Sequence, residues 1–107
     1  MLLNINEYDS TLLISIEGEL DHHTSEIFRE QIDESIRGKN YDKVILNMKK
    51  LNFMDSSGIG VLIGRYKILK SMGIDLAVVN VNPQVRKIFD ISGLFKIIRD
   101  EGELKWV

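Results

Sequence analysis

The chain of 107 residues has no cysteine, which removes disulfides, thiolate nucleophiles and cysteine-ligated metals from consideration and fits a cytoplasmic location. It has one proline, Pro83, and no linker, internal repeat or low-complexity segment, so a single domain is expected. No apolar run approaches the ~20 residues needed to cross a bilayer, and the N-terminus shows no signal-peptide pattern. Clustered basic residues are also missing, and with a formal charge of −2 this argues against nucleic acid as a direct partner. What is present is ordinary for a soluble globular fold: 44% hydrophobic and 28% charged residues argue against disorder. A chain of this length buries roughly two-thirds of its unfolded surface.

The pattern of apolar residues predicts an α/β domain. Leu2–Asn6 and Thr11–Glu17 alternate, and Tyr8-Asp9-Ser10 between them supplies turn chemistry, so the chain is expected to open with an antiparallel hairpin. Gly18-Glu19-Leu20-Asp21 ends the second strand. Thr24 is the expected N-cap of a helix to about Arg37, with Ile27, Phe28, Ile32 and Ile36 as its apolar face and Gly38 after its end. Lys43–Met48 reads as a buried strand, Ile59–Met72 as a helix stopped by Gly73, and Asp75–Val81 as a second buried strand. Asn82-Pro83 starts a third helix, with proline at its first position and Val85, Ile88, Phe89 and Ile91 facing inward before Gly93. Lys96–Arg99 is the expected last strand, and the tail from Asp100 reads as a helical stub or an extension packing Trp106. The expected architecture is a mixed sheet of about five strands, parallel where helices cross over, with three or four helices mainly on one face.

The functional question sits at Asn52-Phe53-Met54-Asp55-Ser56-Ser57-Gly58-Ile59-Gly60, between a strand and a helix. A helix start leaves backbone N–H groups unpaired and carries partial positive charge. Short oxygen-bearing side chains cap it, and a phosphate placed there meets the same donors. Two serine hydroxyls are thus set at an anion-compatible position, with Asp55 read as a cap rather than a base.

Catalytic and cofactor patterns fit poorly. Gly58, Gly60 and Gly64 follow a G-x-G-x-x-x-G spacing, one residue longer than a dinucleotide fingerprint, and read better as close packing of the helix start. At Gly60 the expectation is close approach to the neighbouring strand or to a partner, offsetting the cost of glycine in a helix. A phosphate-binding G-x-x-x-x-G-K-[ST] is absent, and neither serine has the glycine that a hydrolase elbow places two residues earlier. Asp21, His22 and His23 could suggest a metal site or a general base, but neighbouring residues project apart and no third ligand is evident, so a polar loop is the better reading. No nucleophile, base and orienting group assemble, and no enzymatic activity, cofactor or metal is expected. The other open reading is a small-ligand or nucleotide-binding module that uses the helix start at Asp55–Gly58.

Met54-Asp55-Ser56-Ser57-Gly58-Ile59-Gly60-Val61-Leu62 resembles the signature of the anti-sigma factor antagonists, the bacterial STAS-domain proteins. Gly18–Thr24, Gly64–Lys67 and Phe89–Arg99 look like the sporulation branch of that family, in the sigma-F pathway. These four blocks carry the resemblance from the hairpin to Arg99. The tail Glu101–Val107 departs from it, since the family usually finishes with a helix. The resemblance implies a partner-switching regulator of transcription. In it Ser56, directly after the aspartate, is phosphorylated by an anti-sigma factor that is also a serine kinase, and a metal-dependent PP2C-type phosphatase resets it. The unphosphorylated form binds that kinase with its nucleotide and releases the sigma factor. By the same carry-over Asp21, Met54, Asp55, Ser57, Gly58, Ile59 and Gly60 belong to the contact surface around Ser56.

Overall fold

The computed structural model describes residues 1–104. Strand β1 (Leu2–Tyr8) and strand β2 (Thr11–Leu20) form the expected hairpin, paired from Leu2↔Glu17 to Tyr8↔Thr11 around a two-residue turn in which Asp9 takes φ 53°. Helix α1 (Ser25–Ile36) leads to strand β3 (Lys43–Met54), helix α2 (Ser56–Ser71) to strand β4 (Asp75–Val79), and helix α3 (Pro83–Ser92) through a 3₁₀ turn at Leu94–Lys96 to strand β5 (Arg99–Asp100). The sheet order is β1-β2-β3-β4-β5, antiparallel at the hairpin and parallel thereafter. Strand-by-strand growth through helical crossovers explains that sequential order.

Period-two alternation assigns the faces. Leu12, Ile14 and Ile16 of β2, Val44, Leu46 and Met48 of β3, and Leu76 and Val78 of β4 meet the helices in one core. Phe28, Ile32 and Ile36 of α1, Leu62 and Leu69 of α2, and Val85 and Phe89 of α3 close over it. Leu13, Ala77 and Val79 are buried on the sheet's other face.

Several expectations are corrected. Strand β3 runs to Met54 rather than Met48. Lys49 and Lys50 interrupt its apolar run, yet β2 continues beside it, with register shifts between Ser15 and Glu17 and between Gly18 and Glu19, and carries the pairing to Leu20↔Met54. Ile27 is 49% exposed and Ile91 89% exposed, so neither belongs to an inner face. The buried stripe of α1 follows Phe28, Ile32 and Ile36, and Ile91 lies nearly opposite Phe89 at about 100° per residue. Strand β4 stops at Val79 because Asn80 takes a left-handed φ of 57°, and the last strand begins at Arg99 because Leu94–Lys96 is a 3₁₀ turn. Trp106 lies outside the described residues.

One partly buried charge pair joins two helices: Arg65 of α2, 7% exposed, stands 3.2 Å from Asp33 of α1, whose side chain is 26% exposed. The contact is an ion pair without hydrogen-bond alignment, and Arg65 Nε and Nη1 remain unsatisfied.

Candidate functional site

The site forms where the C-terminal ends of β2 and β3 meet the start of α2. Asp55 has extended backbone, φ −110° and ψ −168°, and caps the helix. Its Oδ1 accepts the N–H groups of Ser57 at 2.9 Å and Gly58 at 3.2 Å, two of the donors that a helix start leaves open. Its Oδ2 accepts the His22 N–H at 3.3 Å, and its own N–H donates to the Leu20 carbonyl at 3.4 Å. One side chain therefore ties the loop after β2 to the end of β3 and to α2.

The helix begins at Ser56, three residues earlier than the apolar run suggests, because Asp55 supplies the cap. Ser56 is exposed and Ser57 half-buried. Among the described residues neither hydroxyl has a hydrogen-bond partner, and the Ser56 N–H is likewise open. Beyond Ser57, Ile59 is half-buried and Gly60 exposed on the first turn.

Gly58 is what lets this turn sit down on the sheet. A Cβ there would come inside 3.0 Å of both the Leu20 carbonyl oxygen and Met54 Cγ. Of the two approaches expected at Gly60, the one to the neighbouring strand falls instead at Gly58, since a Cβ on Gly60 or Gly64 would meet nothing of this chain within 4 Å. Met54 is 2% exposed, so with buried Gly58 it underlies the surface instead of forming it.

The loop at Asp21 is built by its own side chains. Asp21 Oδ1 accepts the N–H groups of His23 at 2.9 Å and Thr24 at 3.1 Å. Thr24 was the expected cap of α1, but its side chain makes no cap bond to that helix. Instead Thr24 Oγ1 donates to the Glu19 carbonyl at 2.8 Å and accepts the Asp21 N–H at 2.9 Å, closing the loop on itself. Burial pushes the Asp21 carboxyl upward, but the Thr24 and His23 amides outweigh it, and its pKa lies below the ordinary carboxylate value. His22 and His23 are exposed, their rings edge-on with centroids 5.7 Å apart.

Phe53, absent from the expected contact surface, is 47% exposed two residues before Asp55 and paired with Glu19 in the ladder. An aromatic that breaks the buried alternation between Leu51 and Met54 was the signal that could have found it. Among the described residues no helix is long and apolar enough to cross a membrane.

The profile of the STAS domain family matches residues 3–105. The anti-sigma F factor antagonist of Paenibacillus polymyxa is 45% identical over 96 residues, covering 90% of this chain and 82% of that protein. The anti-sigma factor antagonist SpoIIAA in its unphosphorylated form superposes with a TM-score of 0.80 at 35% identity, over 92% of this chain and 87% of the other. The Bacillus cell fate determinant SpoIIAA in the phosphorylated form gives a TM-score of 0.71 at 34% identity, over 92% and 90%. With the five-stranded mixed sheet, the capped serine junction and a family match across nearly its whole length, this chain belongs to the STAS-domain family.

Proposed function

We propose that this chain is an anti-sigma factor antagonist whose activity is set by phosphorylation of Ser56. The observation that carries this reading is the state of Ser56: exposed, at the first position of α2, with hydroxyl and N–H both open beside amides already held by Asp55. A phosphoryl group on its Oγ would meet the positive end of the helix without displacing an existing bond. The likeness to relatives named as anti-sigma factor antagonists supports the role, and the likeness to SpoIIAA in both forms supports a switch that keeps the fold.

In this reading the chain is a substrate and a ligand, not a catalyst. An anti-sigma factor kinase with bound nucleotide transfers a phosphoryl group to the Ser56 oxygen, which loses its proton, and a PP2C-type phosphatase hydrolyses the ester. The unphosphorylated surface of Ser56, Ser57, Ile59 and Gly60, with Asp55 and the Asp21 loop beside it, docks on the kinase and releases the sigma factor. Met54 and Gly58 support that surface from below, and no nucleic acid or membrane contact is involved. Phosphoserine adds about −1.5 to −2 charges. Desolvating it against the kinase's own nucleotide phosphates costs several kcal/mol, enough to block docking.

Incubation with a cognate anti-sigma kinase and ATP, followed by phosphopeptide mapping, tests the reading. Phosphate on Ser56 and its absence in Ser56→Ala are the expected results. Phosphate on Ser57, or saturable nucleotide binding by the isolated chain without the kinase, would overturn it, the latter in favour of a small-ligand module.

A further inference from the structure

Arg65 breaks the apolar stripe of α2. The buried side of that helix runs Gly58, Leu62, Arg65, Leu69, so a guanidinium stands where a leucine would continue the core. Its side chain is 8% exposed, and Asp33 of α1 faces it at 3.2 Å. Nε and Nη1 of Arg65 and Oδ1 of Asp33 are buried without a hydrogen bond. Charges buried with so few bonds add little stability, and apolar side chains of similar volume often serve as well or better. What a buried polar pair can supply instead is register between helices.

Register matters at this place in the fold. Strands β2 and β3 are parallel neighbours, so α1 and α2 both start at the sheet end where those strands finish and run back side by side. The Asp21 loop leads into α1, and Ser56 opens α2. The bond from the His22 N–H to Asp55 ties the two starts together, but one tie is a pivot. At about 1.5 Å per residue, Asp33 lies about 12 Å along α1 from Ser25, and Arg65 about 13.5 Å along α2 from Ser56. The charge pair is therefore a second tie at nearly equal depth, and two ties fix an angle that one leaves free. Among the described residues no other ion pair or side-chain hydrogen bond joins the two helices. Packed helices can slide past each other by about 1–2 Å, and a slide here would move the Asp21 loop relative to Ser56.

We infer that Arg65 and Asp33 are positioning residues, which hold α1 and α2 in register and so present the Asp21 loop and the Ser56 turn as one surface. That the surface meets an anti-sigma factor rests on the function proposed above; the helix register does not.

Two variants test this. Arg65→Met puts an apolar side chain on the stripe and leaves Asp33 with Arg29 3.9 Å away, so the chain should stay folded. Arg65→Lys keeps the charge, which suffices where the contact is ionic rather than an aligned hydrogen bond. In calorimetric titration with the anti-sigma factor, Arg65→Met should bind about three- to tenfold more weakly, and Arg65→Lys should recover most of that loss. In urea denaturation Arg65→Met should be at least as stable as Arg65→Lys. A residue that only stabilises would rank the two variants alike in both measurements.

The register can be read without a partner. Because the chain has no cysteine, Gln31→Cys and Lys67→Cys, both at exposed positions of the two helices, take one spin label each. The dipolar distance between them should be narrowly distributed in the native pair and in Arg65→Lys, and should shift or broaden by about 1–2 Å in Arg65→Met. An unchanged distance overturns the inference, as does an affinity that follows stability or does not fall when the distance shifts. A native chain that binds no anti-sigma factor defeats the proposed function instead, and the distances then decide the register alone.

Discussion

Asp55 and His22 are 33 residues apart in sequence, yet the Asp55 carboxylate accepts the His22 N–H at 3.3 Å while its other oxygen caps α2. The loop after β2 and the serine turn therefore share one hydrogen-bonding centre and should move together.

Asp55→Ala removes the cap and the tie at once. Loss of an aspartate cap costs about 1 kcal/mol, with a range of roughly 0.5–2. Urea denaturation should show that loss, and amide exchange should show faster opening at His22, Ser57 and Gly58 together. Protection that falls at α2 alone would mean that the loop is held independently.

The glycines of the first turn should separate cleanly. Gly58→Ala forces a Cβ against backbone and a packed Met54, and overpacking of this kind costs about 1–3 kcal/mol. Gly60→Ala faces open space and should stabilise the helix by about 1 kcal/mol. If Gly60→Ala folds better but binds the anti-sigma factor more weakly, the glycine serves the partner. If binding is unchanged, it serves neither role.

Phosphorylation of Ser56 should change affinity and leave the fold intact. At an exposed helix start the phosphate gains about 0.3–1 kcal/mol, whereas at the interface a penalty of several kcal/mol reduces affinity by about a thousandfold. Ser56→Ala should bind and resist inactivation; Ser56→Asp should bind poorly. Calorimetric titration with each form, beside thermal melting of each, checks both halves. A large drop in melting temperature on phosphorylation would mean that the switch works by unfolding.

The Arg65–Asp33 pair should behave as a partly buried charge pair. Removing one member of a fully buried pair costs about 3–5 kcal/mol. Asp33, with a side chain 26% exposed, retains some solvent screening, so Asp33→Ala should fall near or below the lower end of that range, about 2–3 kcal/mol. Arg65→Met should cost less, since its removal leaves the better-solvated partner behind. A double-mutant cycle by denaturant unfolding measures the coupling, and a value near zero would show that the two charges do not stabilise each other.

Asp21 gives the acid limb a sign. Its folded pKa is depressed, so its contribution is fully present above the ordinary carboxylate pKa and is lost as pH falls through the lower folded value. Stability should therefore decline on acidification below about pH 4, and Asp21→Asn should flatten that part of the profile. An unchanged profile would show that the Asp21 amide bonds do not discriminate between the charged and neutral forms.

The chain's own order of residues determined the hairpin, three helices and the serine junction, because each rests on local physics: alternation in Leu12–Ile16, the breaker at Gly73, proline at the start of α3, and short oxygen side chains before α2. Tertiary structure decided the rest. Whether β3 ends at Met48 or Met54 depends on the length of the strand beside it, which the run Lys49-Lys50 conceals. Ile27 and Ile91 are as apolar as their buried neighbours, and only the narrow stripe that the sheet can cover determines which residues are excluded. Gly58 and Gly60 are chemically identical, and the choice between them was made by the Leu20 carbonyl and Met54, which reach the first turn from strands joined through the sheet. The same long-range pairing brings His22 to Asp55. A local pattern records what a segment prefers, but contact across 33 residues is a property of the packed sheet.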